Sequence, residues 1–135
     1  MATEYLEVSC AIIENNGKVL VAQRGADMSH PFKWEFPGGK WEAGETATAA
    51  LHREIAEELG VEIEIRQALP PSCFSYPDKG QVRLWPFCCV LTAGKLQGVE
   101  HATVAWFGRQ ELVGLNWVEA DVAVVQSYLH ARGAL

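Results

Sequence analysis

Three glutamates within five residues stand out as potential metal ligands. The stretch REIAEELG places Glu54, Glu57 and Glu58 at positions i, i+3 and i+4, a spacing that puts their side chains on one face of a helix. Like charges at this spacing destabilise a helix by about 0.2–0.5 kcal/mol per pair, and the helix macrodipole disfavours acids near the C-terminus. A hard divalent cation such as Mg²⁺ or Mn²⁺ would offset both penalties. For the helix alone, the alternative is a solvated acidic surface.

The residues ahead of this stretch favour the metal site. Five residues separate Gly39 from Glu45, and seven more lead to Arg53. The pattern is G-x5-E-x7-R-E-U-x-E-E-x-G-U, with U apolar, and its positions are filled by Gly39, Glu45, Arg53, Glu54, Ile55, Glu57, Glu58, Gly60 and Val61. Average residue usage gives such a match at one start position with a probability on the order of 10⁻⁹. This is the Nudix box, and with the flanking WEFPGGKWEAGET the chain resembles the MutT-like branch of the Nudix hydrolases.

The resemblance implies roles for the residues of the box. The implied metal ligands are Gly38, through its carbonyl, Glu54, Glu57, Glu58 and Glu100, which precedes the VAWF segment. One carboxylate, Glu54 in our interpretation, is expected to act as the base for the attacking water. Arg53 is expected to orient the neighbouring carboxylates through charge-assisted hydrogen bonds. Glu45 is expected to support catalysis by capping or orienting the helix.

Substrate contacts are implied by segments outside the box and by Lys40 within it. The residues concerned are Arg24, Glu35, Phe36, Pro37, Lys40, Tyr76, Trp117 and Asp121. Lys40 suits a phosphate as a point charge, and the Tyr76 and Trp117 rings suit stacking on a base, although a tryptophan here equally suits the core. Asp121 falls where MutT-like proteins place a base-reading Asn or Asp. Because aspartate donates a hydrogen bond only when protonated, the preferred base stays open.

Alternating and apolar runs predict the strands that position these residues. Strands are expected at 7–14, 18–24, 61–65, 81–93 and 104–108, with a shorter one at 33–36. Asn15, Asn16 and Gly17 predict a hairpin turn. Pro86 predicts that its strand is an edge strand or carries a bulge.

Two helices are predicted from apolar residues at helical spacing. The first covers 46–59, with Thr46 as N-cap and Gly60 as its left-handed stop; its apolar row consists of Leu51, Ile55 and Leu59. The second covers 117–133, with an apolar row of Val118, Val122, Val125 and Leu129. The order of strands and helices predicts an α+β fold. The resemblance implies a Nudix fold, a mixed β-sheet sandwiched between helices as an α/β/α sandwich.

Composition limits the partners of the chain. With 135 residues, 49% of them hydrophobic, we expect one domain spanning 1–135. The net charge of −6 argues against nucleic acid polymers and anionic membranes, but it permits a small anionic ligand that binds with a cation. The four cysteines form no CxxC pair, which predicts reduced thiols in a cytoplasmic protein. Either a monomer or a homodimer is compatible with the sequence.

The resemblance implies an Mg²⁺-dependent nucleoside triphosphate pyrophosphohydrolase, with Mn²⁺ as a possible substitute. Water would attack the β-phosphorus and release a nucleoside monophosphate and diphosphate. The favoured substrate is 8-oxo-dGTP, which implies a role in cleaning the nucleotide pool. The alternative is a pyrimidine triphosphate such as CTP or dCTP. A non-catalytic nucleotide-binding module is a further alternative, but such modules usually have a broken box and here the box is intact.

Overall fold

The computed structural model describes residues 4–77, 80–96 and 102–134. The strands are β1 (Tyr5–Asn15), β2 (Lys18–Arg24), β3 (Trp34–Glu35), β4 (Gly38–Lys40), β5 (Val61–Ala68), β6 (Ser72–Tyr76), β7 (Gly80–Gly94) and β8 (Ala102–Gly108). The helices are α1 (Ala47–Leu59), α2 (Arg109–Leu112) and α3 (Glu119–Ala131). Every strand and helix predicted from the sequence is present, while β4, β6 and α2 were not predicted.

The eight strands form one mixed sheet around a parallel central pair. Strand β1 runs parallel to β7 from Tyr5 opposite Gln81 to Ile13 opposite Cys89, and β5 and β6 pair with β7 in antiparallel fashion. The predicted turn links β1 to β2, with Asn16 and Gly17 at φ 52° and 77°. Strand β2 also pairs with β3 and β8, and β4 pairs with β1.

Alternation along the central strands gives the sheet two apolar faces. Ile13 and its neighbours pack with the Leu51, Ile55 and Leu59 row of α1, whereas Ile12 packs on the opposite side with residues of α3. Helices therefore cover both faces of a mixed sheet, which confirms the predicted α+β sandwich. None of the helices in the described ranges is long and apolar enough to cross a membrane, and all four cysteines are free thiols.

The predicted apolar face of α3 is wrong at one position. Val122 has an exposed fraction of 43%, whereas the buried residues of the helix include Asp121, Val124, Val125 and Tyr128. These four have the i, i+3, i+4, i+7 spacing of a single helix face. The helix is rotated because the Asp121 carboxylate faces inward, where its Oδ2 atom accepts a hydrogen bond from the Phe36 backbone N–H at 2.8 Å.

Pro86 does not mark an edge strand, but its strand carries the predicted irregularity, because the pairing of β7 with β5 shifts register between Glu62 and Ile63 and between Ile65 and Gln67. It lies in β7, which pairs with β1 along one side. On its other side, β7 pairs with β6 as far as Leu84 and with β5 from Phe87 onwards. Pro86 occupies the gap between these two partners, and its carbonyl accepts a hydrogen bond from Leu69 at 3.0 Å. A residue without an N–H is tolerated in a central strand because it lies where the pairing is interrupted.

The last turn of α3 is attached to the end of β1 through Glu14. The carboxylate accepts hydrogen bonds from Tyr128 Oη at 2.6 Å, from Arg132 at 2.8 and 3.0 Å, and from Arg109 at 3.1 Å. Burial raises the pKa of Glu14, but the hydrogen bonds from Arg132, Tyr128 and Arg109 outweigh burial and lower it to about 2. We call this group the Glu14 cluster; it fixes the orientation of α3 against the sheet.

Candidate active site

The ends and the buried face of α1 set the direction of its acidic side chains. Thr46 Oγ1 accepts a hydrogen bond from the Ala49 backbone N–H at 3.2 Å, and Gly60 ends the helix in the left-handed conformation at φ 70°. Both caps were predicted. Because the Leu51, Ile55 and Leu59 row is buried, the adjoining face that carries the glutamates of the box is turned towards β4 at Glu54 and towards solvent at Glu57.

Arg53 holds the carboxylates of the box in place. Its Nε and Nη2 atoms donate to the two oxygens of Glu45, each at 2.8 Å. Its Nη1 atom donates to Glu54 at 2.9 Å and to Glu57 at 3.3 Å. The hydrogen bonds from Arg53 lower the pKa of Glu45 to about 2. Arg53 therefore contacts three carboxylates of the box at once and links Glu45 to α1; the positioning role implied for it stays a prediction.

The two glycines ahead of α1 bring the backbone close to Glu54. A Cβ atom at Gly39 would lie 2.5 and 2.6 Å from the two carboxylate oxygens of Glu54. Gly38 has φ 155°, and a Cβ atom there would overlap the Ser9 backbone carbonyl. Both residues belong to β4, which pairs with Ser9 and Cys10 of β1. Because a side chain at either position would overlap its neighbours, only glycine allows the β4 backbone to lie this close to the acidic face of α1.

Glu58 points from α1 into a cavity of about 380 Å³. The cavity is lined by Val8, Ser9, Cys10, Arg24, Met28, Glu35, Phe36, Gly38, Gly39, Lys40, Glu58, Leu84 and Asp121. Burial raises the pKa of Glu58 to about 7, and the nearby charges of Glu35 and Glu54 act in the same direction. The carboxyl groups that line the cavity, those of Glu35, Glu58 and Asp121, thus outnumber its two cationic groups, Arg24 and Lys40.

The donor set at this end of the cavity fits a divalent cation. Within the described part of the chain, no three His, Cys, Asp or Glu side chains converge into a preassembled metal centre. The fit depends instead on the type of ligand atom, because hard carboxylate oxygens suit Mg²⁺ or Mn²⁺. In addition, Gly39 has no side chain that would separate the β4 backbone from the Glu54 carboxylate. Glu100, the other implied ligand, lies outside the described residues.

A second carboxyl group, that of Asp121, lies at the α3 end of the same cavity. Burial raises the pKa of Asp121 to about 7, and the Glu35 charge adds to this shift; the hydrogen bond from Phe36 and the charge of Arg24 oppose it. Burial also raises the pKa of Glu35, against the effect of Arg24. Asp121, Glu35 and Phe36 were all predicted to contact substrate, and the structure brings them together.

Arg24 lies between two cavities and is held by several partners. Its Nη1 atom donates to both oxygens of Glu35 at 3.0 and 3.1 Å, and its Nε and Nη2 atoms donate to Ser29 at 2.5 and 2.9 Å. A second cavity of about 470 Å³ adjoins the first, since Val8, Arg24 and Lys40 line both. Its other lining residues are Leu6, Ser29, His30, Tyr76, Val82 and Val118.

The remaining predicted substrate residues differ in their placement. Lys40 lies at the boundary of both cavities and Tyr76 lines the second. Pro37 is buried and its carbonyl accepts from the Ala11 N–H at 2.8 Å. Trp117 is also buried, donates from Nε1 to the Leu112 carbonyl at 2.7 Å, and packs on Phe36 with ring centroids 4.8 Å apart. The Trp117 ring lines neither cavity; it packs against the Phe36 ring, which does line the first cavity.

Sequence reasoning missed the contribution of β1 and of the loop after β2. Leu6, Val8 and Cys10 alternate along β1 and turn towards the cavities. This alternation was available from the sequence, although it did not show which face the cavities occupy. His30 and Ser29 lie in the loop after β2, where no periodicity indicated a site.

Comparison with known proteins shows the family to which the chain belongs. The family model described as NUDIX domain matches residues 4–128. The CTP pyrophosphohydrolase of Escherichia coli K12 is 33% identical over 132 residues, covering 97% of this chain and 96% of the relative. The 8-oxo-dGTP diphosphatase of the same organism is 34% identical over 112 residues, covering 82% and 84%. The solution structure of the E. coli ORF135 protein superimposes with a TM-score of 0.83 at 31% identity, covering 98% of this chain and 94% of that one. The chain therefore belongs to the Nudix hydrolase family, whose members use divalent metal ions and act on small nucleotides.

Proposed function

We propose that the chain, acting as one catalytic domain over residues 1–135, is an Mg²⁺-dependent nucleoside triphosphate pyrophosphohydrolase. The observation that carries this proposal is the acidic cavity that α1 and α3 share. Glu58 of α1, with Glu54 adjoining it, supplies oxygen ligands for a metal ion, and Asp121 of α3 supplies a buried carboxyl. Phosphates bound with the metal at Glu58 would leave the base to reach Asp121. The free thiols are compatible with action in the reducing cytoplasm.

The residues that would hold Mg²⁺ are Glu54, Glu57, Glu58 and the carbonyl of Gly38. When bound, the ion supplies neutralisation of the polyphosphate charge and a more acidic water. Burial and the neighbouring charges of Glu35 and Glu54 raise the pKa of Glu58, so a cation bound beside it would relieve the repulsion between these carboxylates. The oxygen donors also suit Mn²⁺, which we expect to replace Mg²⁺ in the assay.

Glu54 is the proposed base. Its Oε1 atom is engaged by Arg53 at 2.9 Å, which fixes the carboxylate and leaves Oε2 to accept a proton from the attacking water. Attack at the β-phosphorus forms a new P–O bond and breaks the bond to the α–β bridging oxygen, which leaves with the nucleoside monophosphate. The other product is diphosphate. Lys40, at the boundary of both cavities, is placed to meet a phosphate.

We propose 8-oxo-dGTP as the preferred substrate. An oxidised purine presents both N–H and C=O groups on its edges, so recognition requires both acceptors and donors. Asp121 uses Oδ2 to accept from Phe36, and its pKa of about 7 makes both the ionised and the protonated forms available near neutral pH. The carboxyl group therefore offers an acceptor or a donor to the base.

A pyrimidine triphosphate is the second candidate, because the alignment with a CTP pyrophosphohydrolase covers 97% of this chain. The test is diphosphate release with Mg²⁺ from a panel containing 8-oxo-dGTP, CTP, dCTP and the canonical triphosphates. A higher kcat/KM for 8-oxo-dGTP than for its competitors supports the first candidate, and the reverse order for CTP supports the second. Absence of turnover on the whole panel by folded protein would refute the enzymatic proposal.

Glu57→Gln separates an enzyme from a binding module. In an enzyme the change removes a proposed ligand charge and should lower kcat by orders of magnitude. The matched control is Glu62→Gln, at an exposed residue of β5, which should leave kcat unchanged. Calorimetry with Mg²⁺ on a variant with Gln at 54, 57 and 58 tests the ligand set independently of turnover. Equal heats for that variant and the wild type would show that the ion binds elsewhere.

A further inference from the structure

Two aromatic rings form one wall of the second cavity. The His30 and Tyr76 ring centroids are 5.6 Å apart, with their planes inclined by 46°. The Tyr76 ring is held in place because its hydroxyl oxygen accepts from the Ala120 backbone N–H at 3.2 Å, in the first turn of α3. The remaining walls include the apolar residues Leu6, Val8, Val82 and Val118.

The loop that carries His30 is held in an uncommon backbone conformation. His30 and Phe32 have φ values of 51° and 64°, in the left-handed region that non-glycine residues seldom occupy. Arg24 stabilises the loop, since its backbone N–H donates to the Lys33 carbonyl and its carbonyl accepts from Phe32, while its guanidinium donates to Ser29. Such conformations persist where the surrounding structure imposes them, and they concentrate at ligand sites.

We propose that His30 is a substrate-binding residue that, together with Tyr76, stacks against the nucleobase. This inference rests on the proposed function, because it places the base of the same triphosphate across both cavities, with its edge at Asp121 in the first and its face against His30 and Tyr76 in the second. The location supports it: the cavity adjoins the acidic one through Val8, Arg24 and Lys40. A flat base fits between an aromatic wall and aliphatic walls, and aromatic rings stack on any base because every base has a π face.

Two substitutions at His30 separate the ring from the backbone. Asparagine is among the residues that best tolerate the left-handed region, so His30→Asn keeps the loop conformation and removes the ring. His30→Phe keeps a ring, and Phe32 shows that the same loop accommodates phenylalanine at positive φ. The matched control is His52→Asn, at an exposed histidine on the outer side of α1.

Stacking predicts a loss of affinity confined to ligands that contain a base. Base–aromatic stacking contributes about 1–3 kcal/mol per base, so His30→Asn should raise KM for the triphosphate about tenfold. The Ki of the nucleoside monophosphate should rise equally, while kcat and the Ki of inorganic diphosphate stay within about twofold of wild type. His30→Phe and His52→Asn should both match the wild type.

An unchanged KM in His30→Asn would overturn the inference. Equal weakening of monophosphate and diphosphate inhibition would also overturn it, because that result indicates collapse of the loop rather than loss of a stacking surface. If the wild type hydrolyses no triphosphate, the proposed function fails separately, and calorimetric titration with the nucleoside monophosphate still tests His30. Equal affinities of wild type and His30→Asn in that titration would refute the stacking role.

Discussion

Gly39→Ala tests whether the close approach of β4 to α1 sets the position of Glu54. The added Cβ atom would lie 2.5 Å from Oε2 of Glu54, whereas ordinary contact begins at 3.4 Å. The carboxylate carbon of Glu54 would lie closer still, so the carboxylate must move by at least about 0.9 Å, from 3.4 minus 2.5 Å. A misplacement of about 1 Å at a reacting group costs roughly a hundredfold in rate, so we expect kcat/KM to fall by about that factor.

The same substitution should leave stability nearly unchanged. The obstructing atoms belong to the end of a flexible side chain, and Gly39 is not in the left-handed region. Thermal unfolding should therefore shift little, in contrast to Gly38→Ala, where the added atom meets the Ser9 backbone and Tm should fall clearly. Gly114→Ala is the control, since its nearest contact would be an ordinary 3.8 Å.

The assay is diphosphate release under kcat/KM conditions, with circular dichroism to follow Tm. A Gly39→Ala enzyme within about threefold of wild type would refute the reasoning, because Glu54 would then tolerate a displacement of this size. A loss of activity that accompanies a large drop in Tm would refute it as well, since the cause would be the fold and not the carboxylate position.

Three further predictions concern the remaining charged groups. Arg53→Lys keeps the charge but loses the fork that holds Glu45 and Glu54, so kcat should fall by about tenfold or more while far-ultraviolet circular dichroism stays unchanged. The raised pKa of Asp121 means that the folded state holds this proton more tightly than the unfolded chain, so stability declines as pH rises towards about 7. Asp121→Asn should flatten that decline when Tm is measured between pH 5 and 8. The pKa of Glu14 is depressed to about 2 from 4.5, so its contribution is present above about pH 4.5 and is lost as pH falls towards 2. Glu14→Gln should therefore lower Tm by several degrees at pH 7 and much less near pH 2 to 3; equal losses at both pH values would contradict the assignment.

Local rules were sufficient to predict α1 and much of its chemistry. Thr46, Gly60 and the apolar row at i, i+4 each act within a few residues, and the structure has both caps and the buried row. Arg53 could be assigned to its carboxylate neighbours for the same reason, because α1 and the segment just before it contain them. The spacing of the box determined which acids share a helix face.

Non-local effects account for the errors. The rotation of α3 depends on a hydrogen bond between Asp121 and Phe36, which are 85 residues apart, and no apolar periodicity includes a buried acid. The position of Pro86 depends on where β5 and β6 stop along β7, which local propensity does not encode. The aromatic wall combines His30 with Tyr76 from separate strands and loops, so its members could not be paired in advance.

The first turn of α3 contributes to the cavity, whereas its last turn attaches the helix to the sheet, so the two ends of the helix can change independently in evolution. Asp121 in the first turn lines the first cavity, while Tyr128 and Arg132, at the other end, anchor the helix to Glu14. On the proposed function, substitutions in the first turn are expected to alter substrate choice while the Glu14 cluster holds the last turn in place. Because Asp121 also accepts a hydrogen bond from Phe36, a variant at that position must keep an acceptor there, and within that limit the first turn of α3 is a target for directed evolution.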